Sequence, residues 1–149
     1  MGGGNLLSLQ TAFELATMSL EIYTEGSCTG RSGSWSYRVE HRYSESDVET
    51  IHSDSGESTG TTAIQMKLMA ILESLTFAKS IITDELIIIK SDCPLCIKCL
   101  TKEYDCTSDD AFKRDRVTRG FMQYLQEIWW KMSGLNVRFE QTADSAHQT

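Results

Sequence analysis

A chain of 149 residues, 40% of them apolar and 23% charged, has the size and make-up of one globular domain with a modest core. Its formal net charge of −7 excludes a generally basic nucleic-acid coat, because non-specific affinity comes mainly from neutralising phosphates; nucleic-acid contact must be local. No apolar run approaches the roughly 20 residues a membrane helix needs, and no N-terminal segment joins a basic start, an apolar stretch and a small-residue cleavage site, so an intracellular protein with no membrane contact is expected.

Charge is uneven along the chain. Residues 1–60 carry three Lys or Arg against nine Asp or Glu, and residues 61–149 carry eleven against twelve. The five cysteines, Cys28, Cys93, Cys96, Cys99 and Cys106, are expected to be reduced thiols or metal ligands, not a disulfide framework, in a chain without a secretory signal.

Residues 1–17 are expected to form an N-terminal extension. Met1-Gly-Gly-Gly-Asn5 is a flexible lead; it approaches an N-myristoylation signal, but Leu6 stands where that signal wants Ser or Thr. Leu6, Leu9, Phe13 and Ala16 recur at helical spacing, which suits a short amphipathic helix docked on the domain or on a partner. The domain proper is expected over 18–149. Leu20 to Thr24 alternates and is β-prone, and Glu25-Gly26-Ser27 reads as its turn. After a second turn at Gly30 to Gly33, Trp35, Tyr37, Val39 and His41 share one face of a second strand. Val48 to His52 returns as a third, and Ser53 to Gly60 reads as a polar loop.

Thr61 or Thr62 caps a helix whose apolar stripe, Ile64, Leu68, Ile71, Leu75 and Ala78, runs at spacings of four, three, four and three. Leu86 to Ile89 is a short apolar run, as in a strand buried on both faces. Pro94, the single proline, suits the first turn of a short helix. Asp109 or Asp110 opens a longer helix through about Met132, with Phe112, Val117, Phe121, Leu125, Trp129 and Met132 on its apolar side, and Ser133-Gly134 ends it. Leu135 to Gln141 is the last strand. Three meandering strands, then helices alternating with buried strands, predict an α/β fold with a mixed sheet and helices packed on it.

That order, with Ile22-Tyr-Thr-Glu-Gly-Ser-Cys28 closing the first strand, resembles ribonuclease H type 1, whose first strand ends in Tyr-Thr-Asp-Gly-Ser before a glycine-rich turn and an aromatic second strand. The family's first long helix carries Glu-Leu-x-Ala-Leu-x-x-Ala-Leu; here the stretch is Lys67-Leu-Met-Ala-Ile-Leu-Glu-Ser-Leu75 after Thr61-Thr62. Its Ser/Thr-Asp-Ser after the fourth strand is similar to Ser91-Asp92-Cys93. The resemblance spans about Met18 to Thr142 and implies a ribonuclease H-like five-stranded mixed sheet flanked by helices.

Chemically, the resemblance implies two-metal phosphodiester hydrolysis, in which clustered carboxylates hold two magnesium or manganese ions. The departures bear on that activity. Glu25 stands at the first metal-binding Asp and is longer by a methylene; Lys67 stands at the helix Glu and exchanges a ligand for a cation; Asp92 matches. The chain is expected to stop short of the helix that carries the last family Asp, leaving Asp144 and His147 in the loop region as substitutes. If the family geometry holds, Lys67 replaces the metal by pairing with Asp92 and Glu25; the alternative is that it snorkels to solvent beside a decayed site.

Two functions follow. The favoured expectation is a catalytically degenerate module, without metal, that serves as a scaffold or accessory binding domain with a protein partner or as a homo-oligomer. The other is an active, magnesium- or manganese-dependent ribonuclease H that cleaves RNA in RNA/DNA hybrids with Glu25, Asp92 and Asp144, or Glu73, as a rearranged acidic set. Lys113, Arg114, Arg116 and Arg119 are the candidate phosphate contacts. Cys93-Pro-Leu-Cys96-Ile-Lys-Cys99 has the spacing of zinc ligands; the reading adopted instead puts Cys96, Cys99 and Leu100 on the sheet-facing side of a helix as small hydrophobes. One of Trp129 and Trp130 is expected in the core and the other exposed, as an interface residue. No Ser-His-Asp set or phosphate-cradling glycine loop is present.

Overall fold

The computed structural model describes residues 18–81, 84–103 and 117–143, with 117–120 described through their helical backbone alone. The expected extension 1–17, the expected start of the long helix with Phe112, and the C-terminal tail lie outside the described residues.

Three strands, β1 (Ser19–Thr29), β2 (Ser32–Arg42) and β3 (Val48–Thr59), form an antiparallel meander. Helix α1 (Ala63–Ser80) crosses to β4 (Leu86–Ser91), which pairs with β1 in parallel; α2 (Pro94–Leu100) and α3 (Val117–Met132) then lead to β5 (Val137–Gln141), parallel to β4. The sheet order is β3-β2-β1-β4-β5. This is the mixed five-stranded sheet with helices that the element order predicted.

Alternation along the strands decides which face is covered. Leu20 and Ile22 of β1, Tyr37 and Val39 of β2, and Ile87 and Ile89 of β4 form one core with Leu68, Ile71, Leu75 and Ala78 of α1, and with Cys96, Leu100, Phe121, Leu125 and Ile128 from α2 and α3. The opposite face carries a charged network. Arg42 Nε donates to Glu21 Oε1 at 2.8 Å, the Arg38 guanidinium lies 4.5 Å from the Tyr23 ring centroid, and Lys90 Nζ lies 4.9 Å from it.

The helix signals have local causes. Thr62 caps α1, its hydroxyl accepting from Gln65 N at 3.2 Å. Cys93 caps α2, with Pro94 at the first helical position, where no amide hydrogen is needed. Within α3, Ile128 is fully buried, whereas Trp129 is partly buried and its indole N–H donates to Leu100 O at 2.9 Å. Trp130 is 70% exposed.

Two boundaries differ from the sequence expectation. Glu25-Gly26-Ser27 is not a turn: β1 continues to Thr29, and the reversal falls at Gly30, whose φ is 63°. Nor is Ser53 to Thr59 a loop, since β3 runs on to Thr59 against β2, with a register shift between Val39 and Glu40. An edge strand exposed along most of its length carries no apolar alternation to announce it.

Candidate functional site

The site is assembled around a close approach of strand and helix. Gly26 lies under the first turn of α1, and a β-carbon there would come 2.3 Å from Lys67 N and 2.4 Å from Met66 C. A glycine inside a strand here marks contact between backbones. It brings the Glu25 and Lys67 positions to one place, although the two residues are 42 apart in sequence.

Asp92 arrives from the other side. It follows the last residue of β4, in a bend fixed by the Cys93 amide, which donates to Ser91 Oγ at 3.2 Å. Lys67 Nζ donates to Asp92 Oδ1 at 2.6 Å, with the two side chains 19% and 11% exposed. A charge-assisted contact of that length and burial is of the strong kind.

Glu25, Lys67 and Asp92 line one open cleft of about 850 Å3. Its far wall comes from the meander: Trp35 of β2 sits opposite Gly56 of β3, where a β-carbon would come 2.5 Å from the indole. Ser27, Ser34, Ser36, Ser55 and Glu57 complete the wall. Three carboxylates face one ammonium there, so the cleft is acidic. Sequence reasoning missed Trp35 and the serines as site residues. The signal for Ser55 and Glu57 was hidden by reading their strand as a loop.

Behind Asp92, Cys93 Sγ accepts from Cys96 N at 3.3 Å. The hydrogen bond from the Cys96 side chain lowers the Cys93 thiol pKa, and the nearby Lys67 ammonium adds to this; burial and Asp92 oppose it. The same pairing, with burial, pushes the Cys96 thiol up. Cys28, Cys93 and Cys96 are free thiols.

Of the other candidates, Glu73 lines a separate depression with Gln65 of α1 and Tyr124 of α3. His41 pairs with Glu85, Nε2 to Oε2 at 2.8 Å, and His52 contacts Tyr37 Oη at 3.1 Å while stacking on Phe77. Asp144, His147, Cys106, Lys113, Arg114 and Arg116 lie outside the described residues, and Arg119 is described through its backbone alone.

The element order, the register and the cleft at the ends of β1 and β4 define the fold as that of ribonuclease H. No protein-family model matches the chain, and no curated protein matches it significantly. Solved structures do. RNase H1 from the halophilic archaeon Halobacterium salinarum NRC-1 is 14% identical, with 87% of this chain and 89% of that one covered and a TM-score of 0.64. LC9-RNase H1, a type 1 RNase H with the type 2 active-site motif, is 17% identical over 87% of this chain and 65% of that one, at a TM-score of 0.70. LC11-RNase H1, solved in complex with an RNA/DNA hybrid, is 16% identical over 85% and 87%, at 0.59.

Two-metal hydrolysis needs several oxygen ligands converging on each ion. Among the described residues, no group of three or more His, Cys, Asp or Glu is placed to hold a metal ion. An ammonium also stands 2.6 Å from Asp92 Oδ1, on the carboxylate a metal would have to share. The described residues do not fit a pair of divalent ions. Among them, too, no helix is long and apolar enough to cross a membrane.

Proposed function

We propose that this chain is a catalytically degenerate ribonuclease H-fold module that works by binding, as a scaffold or accessory domain in an intracellular nucleic-acid-processing assembly. The observation that carries the reading is the 2.6 Å contact of Lys67 Nζ with Asp92 Oδ1. A fixed cation on the chain supplies the counter-charge that a metal-dependent site takes from solution, and fold alone does not bring activity with it. Trp130 supports a protein partner: it is 70% exposed and flanked by Lys79 and Lys131, whose ammonium groups lie 5.2 and 5.7 Å from its ring. Large exposed aromatics of this kind are enriched at interfaces. Nucleic acid, where it binds, is drawn by the run Lys113, Arg114, Arg116 and Arg119 and not by the acidic cleft.

The test is cleavage of a labelled RNA/DNA hybrid in magnesium and in manganese, with Asp92→Asn purified in the same way to exclude a contaminating nuclease. No metal-dependent cleavage above that variant is expected. Cleavage by the parent and not by Asp92→Asn overturns the reading in favour of a rearranged acidic set, Glu25 and Asp92 with Asp144.

A further inference from the structure

The three cysteines of Cys93-Pro-Leu-Cys96-Ile-Lys-Cys99 lie beside the cleft but have no part in the function proposed above. They are not equivalent. Cys93 is in extended backbone, φ −108° and ψ 97°, and caps α2, whereas Cys96 and Cys99 belong to the helix itself. Capping turns the Cys93 side chain back over the first helical turn until Sγ stands 3.3 Å from Cys96 N, one bond away from the Cys96 α-carbon. Pro94 fixes its own φ between the two cysteines and so restricts the loop that joins the two sulfurs.

We propose that Cys93 and Cys96 are an oxidisable dithiol that a peroxide closes to an intrachain disulfide, making the β4–α2 junction a redox-modification site. The competing pair is excluded by geometry. Helical positions three apart hold their β-carbons about 5–6 Å from each other, beyond the roughly 3.5–4.5 Å that a disulfide spans, so joining Cys96 to Cys99 would distort α2. Cys28 is on β1 at the cleft, its thiol within donating distance of Gly30 O at 3.3 Å and of Thr61 O at 3.5 Å. Cys93 retains 7% exposure against 0% for Cys96, so Cys93 is the more accessible residue of the pair.

The electrons balance with one peroxide. Cys93 Sγ, as thiolate, attacks a peroxide oxygen; the O–O bond breaks, and hydroxide leaves with the thiol proton as water, giving a sulfenic acid. Cys96 Sγ then attacks Cys93 Sγ; the S–O bond breaks, and the hydroxide leaves with the Cys96 proton as a second water. Two thiols are oxidised and one hydrogen peroxide is reduced.

Trypsin makes the test clean, because cleavage after Lys90 and Lys98 releases Ser91–Lys98, which contains Cys93 and Cys96 but not Cys99. The full chain is treated with hydrogen peroxide, alkylated without reduction, digested and weighed. The expected result is Ser91–Lys98 lighter by two hydrogens and unalkylated, with full recovery of alkylation after reduction. Cys96→Ala is expected to halt at the sulfenic acid, trapped on Cys93 by dimedone, and Cys99→Ala to close the disulfide as the parent does. A bridge through Cys99, Cys28 or a second chain overturns the proposal. So does a Ser91–Lys98 peptide that remains doubly alkylated at peroxide levels that oxidise the methionines. The parent mass map decides the matter even where a variant fails to fold.

Discussion

Gly26 and Lys67 meet backbone to backbone, and the absence of a side chain on the one sets the position of the other. The first turn of α1 is thereby pressed onto β1 closely enough for the Lys67 side chain to reach Asp92 at the end of β4. Gly26→Ala places a methyl against peptide atoms that cannot swing aside. A loss of about 3 kcal/mol is expected, at the upper end of the usual range for overpacking. Urea unfolding measures it, and an unchanged midpoint would mean that α1 is free to move off the sheet.

Lys67→Met leaves the Asp92 carboxylate, whose side chain is 11% exposed, with its ammonium gone. Both side chains keep some contact with water, so the cost falls below the range for fully buried pairs, at about 2 kcal/mol. The double variant Lys67→Met/Asp92→Leu is expected to regain most of that loss. A single variant as stable as the parent would assign the contact no weight.

Lys67→Glu reverses the charge that faces Asp92 and restores the carboxylate that the ribonuclease H resemblance places on this helix. Its melting temperature is expected to rise with added magnesium, because an ion that binds only the folded state stabilises it. The parent is expected to show no such rise. A magnesium response of equal size in both would show that Lys67 does not govern the site's affinity for cations.

The Arg42 guanidinium beside Glu21 holds that carboxyl below the usual carboxylate value of 4.5, aided by Lys90 and opposed by burial. The folded pKa lies below the unfolded one, so this stabilisation is present above the unfolded value and is lost as pH falls through the folded value. Glu21→Gln is therefore expected to flatten the acid limb of a stability-versus-pH curve. Parent and variant should converge at the acid end and separate towards neutrality.

Gly56→Ala pushes the Trp35 indole out of the cleft wall, since the new methyl would stand 2.5 Å from Cζ2. A side chain yields more readily than backbone, and a loss of about 1 kcal/mol is expected. The sharper reading is spectroscopic: the near-ultraviolet dichroism of the variant should change, and adding Trp35→Phe should abolish that change.

Much of this architecture is legible in the residues, because burial imposes periods. The Leu68, Ile71, Leu75, Ala78 stripe and the Leu86 to Ile89 run are both where spacing and apolarity put them. Gly26 was misread as a turn because glycine signals reversal and close approach alike, and only the partner element distinguishes the two. Ile128 was passed over for the larger Trp129, whose indole N–H is held at the edge of the core by Leu100 O. At the site, three positions carried over from the resemblance line one cleft. The cleft's serine wall had no such legibility: small polar residues on an exposed strand look like any surface.

β3 ends the sheet, and among the described residues nothing pairs with its outer edge. A strand of 12 residues with an open row of amides is a template on which another chain can grow. Its composition works against that outcome, since Glu49, Asp54 and Glu57 are spread along its length and four of the six residues from Ser53 to Ser58 are Ser or Gly. A second copy docking here edge to edge would bring like charges together, with Val48 and Ile51 the large apolar side chains that the strand exposes. The carboxylates of β3 thus disfavour edge-to-edge pairing of two copies along this strand.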